Sequence, residues 1–204
     1  MATVTRKRPR LESGDRLTRA EFHRRYELRP DLHLVELVQG VVYVASPTWY
    51  PHASHHAIIM GWLTAYWRHH PELKLAVTGS VFLEADSEVQ PDACLWREAP
   101  GGPRVNEAQY IEGAPQLVVE VAVSSASYDL GVKLRAYERS GVGEYLVWLV
   151  ETGELRWYRR GQEAFALVEP DAAGLIESAE FPGLRLPVAS LLAGDLDAVC
   201  SAVE

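Results

Sequence analysis

The stretches Gln90-Pro91-Asp92-Ala93-Cys94-Leu95-Trp96 and Leu117-Val118-Val119-Glu120-Val121-Ala122-Val123 decide the fold. Both are largely apolar and the second is rich in valine, which is typical of strands in a buried sheet. An ionised carboxylate left unpaired in such a sheet would cost roughly several kcal/mol. Asp92 and Glu120 therefore need a cation, a set of hydrogen-bond donors or access to solvent.

A lysine follows these strands at helical spacing. Alternation along the second strand places Glu120 on the face shared by Val118 and Ala122. The next segment has an apolar helical stripe, and Lys133 lies at the border of that stripe, from where its side chain can reach a neighbouring strand. We therefore expect Asp92, Glu120 and Lys133 to converge at one edge of a sheet.

Two carboxylates beside an ammonium group are suited to phosphodiester hydrolysis. Oxygen ligands hold a hard cation, which activates water and offsets negative charge on the phosphorus centre. A simpler interpretation stays open, in which Glu120 faces water and Asp129 and Lys133 form an i,i+4 pair on a helix surface.

The order of these residues resembles the PD-(D/E)XK nuclease superfamily, and more closely the Uma-two family of restriction-endonuclease-like proteins. The resemblance rests on Pro91-Asp92, on Ile111-Glu112-Gly113-Ala114-Pro115 leading into the Glu120 strand, and on Lys133. Weaker matches include Glu36 and His56, so that the similarity spans nearly the whole chain after the N-terminal tail.

The resemblance implies one α/β domain of restriction-endonuclease-like type, with a mixed central β-sheet flanked by helices. It implies a metal-dependent endonuclease that hydrolyses DNA, with Asp92 and Glu120 binding Mg²⁺ or Mn²⁺ and Lys133 orienting or deprotonating water. Glu36 would support the metal or its waters, and His56 would contact a substrate phosphate or cap its helix.

The sequence departs from the usual superfamily pattern at one position. The lysine that normally stands two residues after the glutamate is replaced by Ala122. Ala122 leaves space on that face of the strand, and Lys133 is the natural substitute from the helix.

Composition indicates a single domain of ordinary globular character. The chain has 204 residues and a formal net charge of −8, although Arg6, Lys7, Arg8 and Arg10 make its first ten residues basic. We therefore expect a disordered basic tail over residues 1–15 and one domain over 16–204. The acidic body is unlike that of a generic nucleic-acid binder.

Cellular context is inferred from what the sequence lacks. Cys94 and Cys200 do not make a disulfide framework, and no apolar run reaches membrane-spanning length. We expect a cytoplasmic protein that does not enter a membrane. The oligomeric state, homodimer included, stays open.

Local signals predict several further elements. Thr18 begins a capping box, Gln39-Gly40 predicts a two-residue hairpin turn, and a helix is expected over residues 52–70. The helix carries His52, His55 and His56 at i, i+3 and i+4, a spacing that suits a transition metal, but no cysteine or nearby acid completes a ligand set.

Two alternatives to the DNA endonuclease follow. One is a nuclease fold that has lost catalysis and serves as a binding or scaffolding module, which would bind Mg²⁺ weakly. The other is an unrelated hydrolase built on the histidine cluster, which would require a transition metal.

Overall fold

The computed structural model describes residues 9–203. Residues 1–8, which make up half of the predicted basic tail, lie outside this range. In the other half, Leu11 is buried and the Gly14 amide donates to the Val42 carbonyl at 2.8 Å.

The N-terminal part of the domain is built around a β-hairpin. Helix α1 (Arg19–Glu27) begins at Thr18, whose hydroxyl accepts from the Glu21 amide, so the predicted cap is confirmed. Strands β1 (Val35–Val38) and β2 (Val41–Val44) pair through the predicted turn. Gln39 and Gly40 both have positive φ, which matches the twist of a tight hairpin.

This hairpin is one edge of the first of two six-stranded sheets, which has the order β2-β1-β5-β4-β8-β7. Its pairs are antiparallel except for β4 with β8. The four short strands that complete it are β4 (Val81–Phe82), β5 (Glu88–Val89), β7 (Arg104–Val105) and β8 (Ile111–Glu112).

The second sheet is the central one and has the order β12-β11-β10-β9-β6-β3. It is mixed, because β9 and β10 are parallel while the other neighbours are antiparallel. Its strands are β3 (Leu73–Val77), β6 (Ala93–Arg97), β9 (Leu117–Ala122), β10 (Glu144–Leu149), β11 (Glu154–Arg160) and β12 (Phe165–Leu167).

Apolar side chains cover both faces of the central sheet. On one face, helix α2 (Tyr50–Trp67) buries Ile59, Trp62, Leu63 and Tyr66 against alternate residues of β9. The last segment covers the same face and consists of β13 (Leu175–Glu177), β14 (Arg185–Pro187), α5 (Val188–Leu192) and α6 (Leu196–Ser201). The other face of β9, with Val118 and Ala122, packs against Tyr137.

The connection between the parallel strands β9 and β10 is not a regular helix. Helix α3 (Ala126–Tyr128) runs into a π-helical turn (Asp129–Lys133), and helix α4 (Leu134–Ser140) follows and ends at Gly141 with φ +93°. A π-helical turn holds an extra residue, so the spacing rules of an α-helix do not apply across it.

The architecture confirms the predicted α/β class with a mixed central sheet flanked by helices. Within the described residues, the strands form two six-stranded sheets and a two-stranded one. The first sheet matters for the site because it carries Glu36.

Candidate active site

A cavity of about 420 Å³ opens between the hairpin, the start of α2 and the ends of β6 and β9. The carboxylate, imidazole and ammonium groups in its lining are Glu36, His52, Asp92, Glu120, Asp129 and Lys133. A larger cavity of about 830 Å³, between α2 and α6, has no carboxylate among the described residues of its lining. The residues that the sequence singled out, Glu36, Asp92, Glu120 and Lys133, therefore meet at the smaller cavity.

Lys133 lies at the centre of this group. Its Nζ is 3.0 Å from Glu36 Oε1 and 2.5 Å from Glu120 Oε1, and the lysine is 3% exposed. Burial acts to lower the pKa of Lys133, but Glu120, Glu36 and Asp129 together outweigh it and raise that pKa. The surrounding carboxylates therefore favour the ammonium form of Lys133.

The position of Lys133 corrects one expectation. The sequence placed Lys133 at the border of an apolar stripe, whereas the π-helical turn buries it together with Asp129. Its close carboxylate contacts among the described residues are Glu36 and Glu120, so the alternative of a surface pair with Asp129 is wrong.

Glu120 and Glu36 are each held by tyrosines on the same connection. Tyr137 donates its hydroxyl to Glu120 Oε1 at 2.8 Å, and Tyr128 donates to Glu36 Oε2 at 3.0 Å. The backbone amide of Gln90 donates to Glu36 Oε1 at 2.6 Å. The sequence did not indicate that either tyrosine lies at the site, although both are close to Lys133 along the chain.

The site holds more carboxylates than cations, and their pKa values reflect this. Burial raises the pKa of Glu120 well above its usual value, and Asp129, Asp92 and Glu36 add to the increase while Lys133 opposes it. Burial likewise raises the pKa of Asp129 to about 6, against the opposing effects of Lys133 and Ser125. Negative charge is thus crowded into a poorly solvated volume.

Asp92 lies next to Glu120 because their strands are neighbours. Asp92 directly precedes β6, whose Ala93 pairs with Val119 of β9. The Val121 amide donates to Asp92 Oδ2 at 2.7 Å, so the predicted adjacency of the two acids is confirmed.

His52 also contacts Asp92. Its Nε2 lies 3.2 Å from Asp92 Oδ2, and this hydrogen bond raises the pKa of His52. Burial opposes ionisation of Asp92, but the contacts with His52, the Val121 amide and His56 outweigh it and lower the pKa of Asp92.

The histidine cluster divides between two environments. His52, His56 and Asp92 offer ligand atoms within 4.8 Å of one another. His55 turns away, with its ring 4.5 Å from that of Trp148 and its Nδ1 2.6 Å from the Pro51 carbonyl. The acidic partner of the histidine cluster, which the sequence did not reveal, is thus Asp92. The i,i+4 spacing of His52 and His56 was the available signal for such a cluster.

His56 is placed differently from the substrate contact that the resemblance implied. Its Nε2 donates to the Asp92 carbonyl at 2.8 Å, and His56 is absent from the lining of the cavity, which includes His52 instead. The contact holds the backbone of Asp92 in position.

The donor atoms suit a hard divalent cation. Asp92 Oδ1 and Glu120 Oε2 receive no hydrogen bond from a described residue, because the contacts above use Oδ2 and Oε1. Carboxylate oxygens are the preferred protein ligands of Mg²⁺, and the excess of negative charge favours such an ion. Asp92 and Glu120 could hold it.

A solved structure shares the fold of this chain. The chain is similar to a structure described as a "putative nuclease belonging to DUF820 from Anabaena variabilis ATCC 29413", with a TM-score of 0.63 and 14% identity. The match covers 78% of this chain and 90% of the other, and it shows a shared fold. A search of curated proteins gave no match. Within the described part of the chain, no helix is sufficiently long and apolar to span a membrane.

The sequence profile of one family matches most of the chain. Residues 19–189 match the Uma2 family, which is described as "Putative restriction endonuclease". The matched range includes Glu36, Asp92, Glu120 and Lys133. The chain belongs to the Uma2, or Uma-two, family.

Proposed function

We propose that this protein is a metal-dependent endonuclease that hydrolyses phosphodiester bonds of DNA. The observation that carries the proposal is the convergence of Glu36, Asp92, Glu120 and Lys133, from four separate segments, on one cavity. Membership of the Uma2 family supports nuclease chemistry.

Asp92 and Glu120 are the proposed ligands of Mg²⁺ or Mn²⁺. A bound cation of this kind lowers the pKa of coordinated water and neutralises charge that develops on the phosphoryl oxygens. The Val121 amide and His52 fix Asp92, and Tyr137 fixes Glu120, so both carboxylates are oriented before substrate arrives.

Lys133 orients the attacking water and stabilises negative charge. Because its pKa is raised, the ammonium form persists at neutral pH, and this favours an electrostatic role over that of a general base. Glu36 supports the site by binding Lys133 Nζ, and Tyr128 and the Gln90 amide hold Glu36 in turn.

A cleavage assay tests the proposal. Labelled single-stranded, duplex and supercoiled DNA are incubated with the protein and Mg²⁺ or Mn²⁺, or with EDTA. Wild type should cleave only with metal, and Asp92→Ala should lose cleavage. Glu112→Gln is a matched control, because this carboxylate pairs with Arg104 on the surface, and it should retain activity. Metal-independent cleavage, or full activity of Asp92→Ala, would refute the assignment.

The same preparation distinguishes the inactive scaffold. If no DNA form is cleaved, calorimetric titration with Mg²⁺ becomes decisive. Weak binding that is equal in wild type and Glu120→Gln would favour a nuclease fold that has lost catalysis.

A second candidate is a hydrolase that uses a transition metal at His52, His56 and Asp92, and the proximity of their ligand atoms favours it. Against it, His56 Nε2 must carry a proton to donate to the Asp92 carbonyl, so this nitrogen is not available as a ligand. Activity with Zn²⁺ and none with Mg²⁺, lost in His52→Ala, would establish this alternative.

A further inference from the structure

An unpaired aromatic side chain stands at the mouth of the cavity. Trp49 lines the cavity, yet it is 64% exposed. Its indole makes no ring contact or hydrogen bond with another described residue. Tryptophan is highly buried on average, so a ring this exposed beside a polar site is a candidate binding surface.

The backbone fixes Trp49 relative to the site. Trp49 is the N-cap residue of α2 in an extended conformation, and its carbonyl accepts from the Ala53 amide at 3.1 Å. His52, one turn into the same helix, contacts Asp92. The short backbone segment from Trp49 to His52 therefore limits the distance between the indole ring and Asp92. The indole ring itself can still rotate about its side-chain bonds.

The rest of the lining is poorly equipped to hold a nucleic-acid backbone. Among the described lining residues, the cationic groups are Lys133 and, when protonated, His52, and both are already paired with carboxylates. No arginine of the described range, residues 9–203, belongs to the lining. Phosphate contacts, which supply most of the affinity of typical DNA binders, are therefore scarce at the mouth.

A base-stacking contact does not require positive charge. Every nucleobase presents a π-face, and aromatic side chains bind successive bases of single strands in this way. The faces of bases inside a continuous duplex are covered by their neighbours, so only an unpaired or extruded base offers a free face to Trp49.

We propose that Trp49 forms a stacking subsite for one unpaired nucleobase adjacent to the scissile phosphate, so that the site takes single-stranded or locally opened DNA. The inference rests on the proposed nuclease function and specifies its substrate class. The strand would enter past Trp49 and place its phosphate near Lys133 and Glu120.

Binding measured in EDTA separates this inference from catalysis. Fluorescence anisotropy is recorded with a labelled single-stranded oligonucleotide and with a blunt duplex of the same sequence, for wild type, Trp49→Ala and Trp49→Phe. Loss of one stack should weaken single-strand binding of Trp49→Ala by roughly 5- to 150-fold. Trp49→Phe should recover part of the affinity, and duplex binding should be weak and unchanged.

The control is Trp67→Ala, which removes a second partly exposed tryptophan at the other end of α2, outside the cavity lining. It should bind single strands as wild type does. An oligonucleotide series with one abasic site at successive positions adds a stricter test. One position should weaken binding to wild type and have no effect on Trp49→Ala.

Three binding results would overturn the inference. The first is equal affinity of wild type and Trp49→Ala for single strands. The second is a loss of duplex binding by Trp49→Ala as large as its loss of single-strand binding, and the third is failure of wild type to bind single strands. If Mg²⁺-dependent cleavage of single-stranded DNA persists unchanged in Trp49→Ala, the subsite is refuted while the nuclease function stands. If single-strand binding depends on Trp49 but no DNA is cleaved, the subsite stands and the nuclease function fails.

Discussion

Replacement of Lys133 by methionine should destabilise the protein strongly. The substitution preserves much of the apolar stem but removes the ammonium group that lies 3.0 Å from Glu36 and 2.5 Å from Glu120. All three side chains are shielded from water, so the carboxylates would keep little compensation. Removal of one partner from a buried ion pair costs about 3–5 kcal/mol. For a domain of this size, that corresponds to a melting temperature lower by about 6–20 °C.

The loss should depend on pH. The folded-state pKa of Glu120 lies above its unfolded value, so the folded chain binds more protons over that interval and stability falls as pH rises through it. Without Lys133 this pKa rises further, because the opposing attraction is gone. The deficit of Lys133→Met relative to wild type should therefore be smaller at pH 5 than at pH 8.

Thermal melts followed by circular dichroism at both pH values measure these effects. Arg139→Met is the matched control, since Arg139 lies on α4 and forms ion pairs with Glu84 and Asp86 at the surface. Exposed pairs of this kind contribute about 0–1 kcal/mol. A shift for Lys133→Met no larger than that of Arg139→Met, or a deficit that does not change with pH, would refute the reasoning.

Three further predictions concern the same site. Tyr137→Phe removes a hydrogen-bond donor to Glu120, so it should lower the free energy of unfolding in denaturant by about 1.5–3 kcal/mol. It should also move the acid limb of the cleavage pH profile to higher pH, and an unchanged profile would contradict the positioning role. The His52–Asp92 contact raises the pKa of His52 and lowers that of Asp92. Its contribution to stability should therefore be lost as pH rises through the folded-state pKa of His52, or as pH falls through that of Asp92. Thermal melts of His52→Gln between pH 3 and pH 9 should lack this dependence. Mg²⁺ at a hundred times its dissociation constant should stabilise wild type by about 2.7 kcal/mol. Without metal at pH 8, Glu120→Gln should have a higher melting temperature than wild type, and it should lose most of the stabilisation by Mg²⁺. If wild type shows no Mg²⁺ shift and Glu120→Gln melts lower, Glu120 is a structural residue.

Local signals in the sequence predicted the parts of the fold that local physics determines. The turn at Gln39-Gly40 requires two residues that tolerate positive φ, and Thr18 supplies the hydroxyl that a helix start needs. The alternation of β9 likewise placed Glu120 on the face that meets Tyr137. Each of these inferences depends on a few consecutive residues.

The remaining features depend on contacts that are distant in sequence. Burial of Lys133 could not be predicted, because a regular helix was assumed where the chain forms a π-helical turn. The meeting of His52 with Asp92 joins segments 40 residues apart, and the spacing of the histidines alone did not name their acidic partner. The division of the strands into separate sheets is similarly a property of the whole chain.

The contact between Glu36 and Lys133 has a consequence for the order in which the protein is made and folded. It joins residues separated by 97 positions, and a contact of such long range forms only after a costly loop closure. During synthesis, a chain that has passed Glu36 and Asp92 but not yet Lys133 contains most of the acidic groups without their cation. The complete site therefore exists only in a chain in which the hairpin, the central sheet and the connection between β9 and β10 have assembled, so that truncated or partly folded copies would lack it.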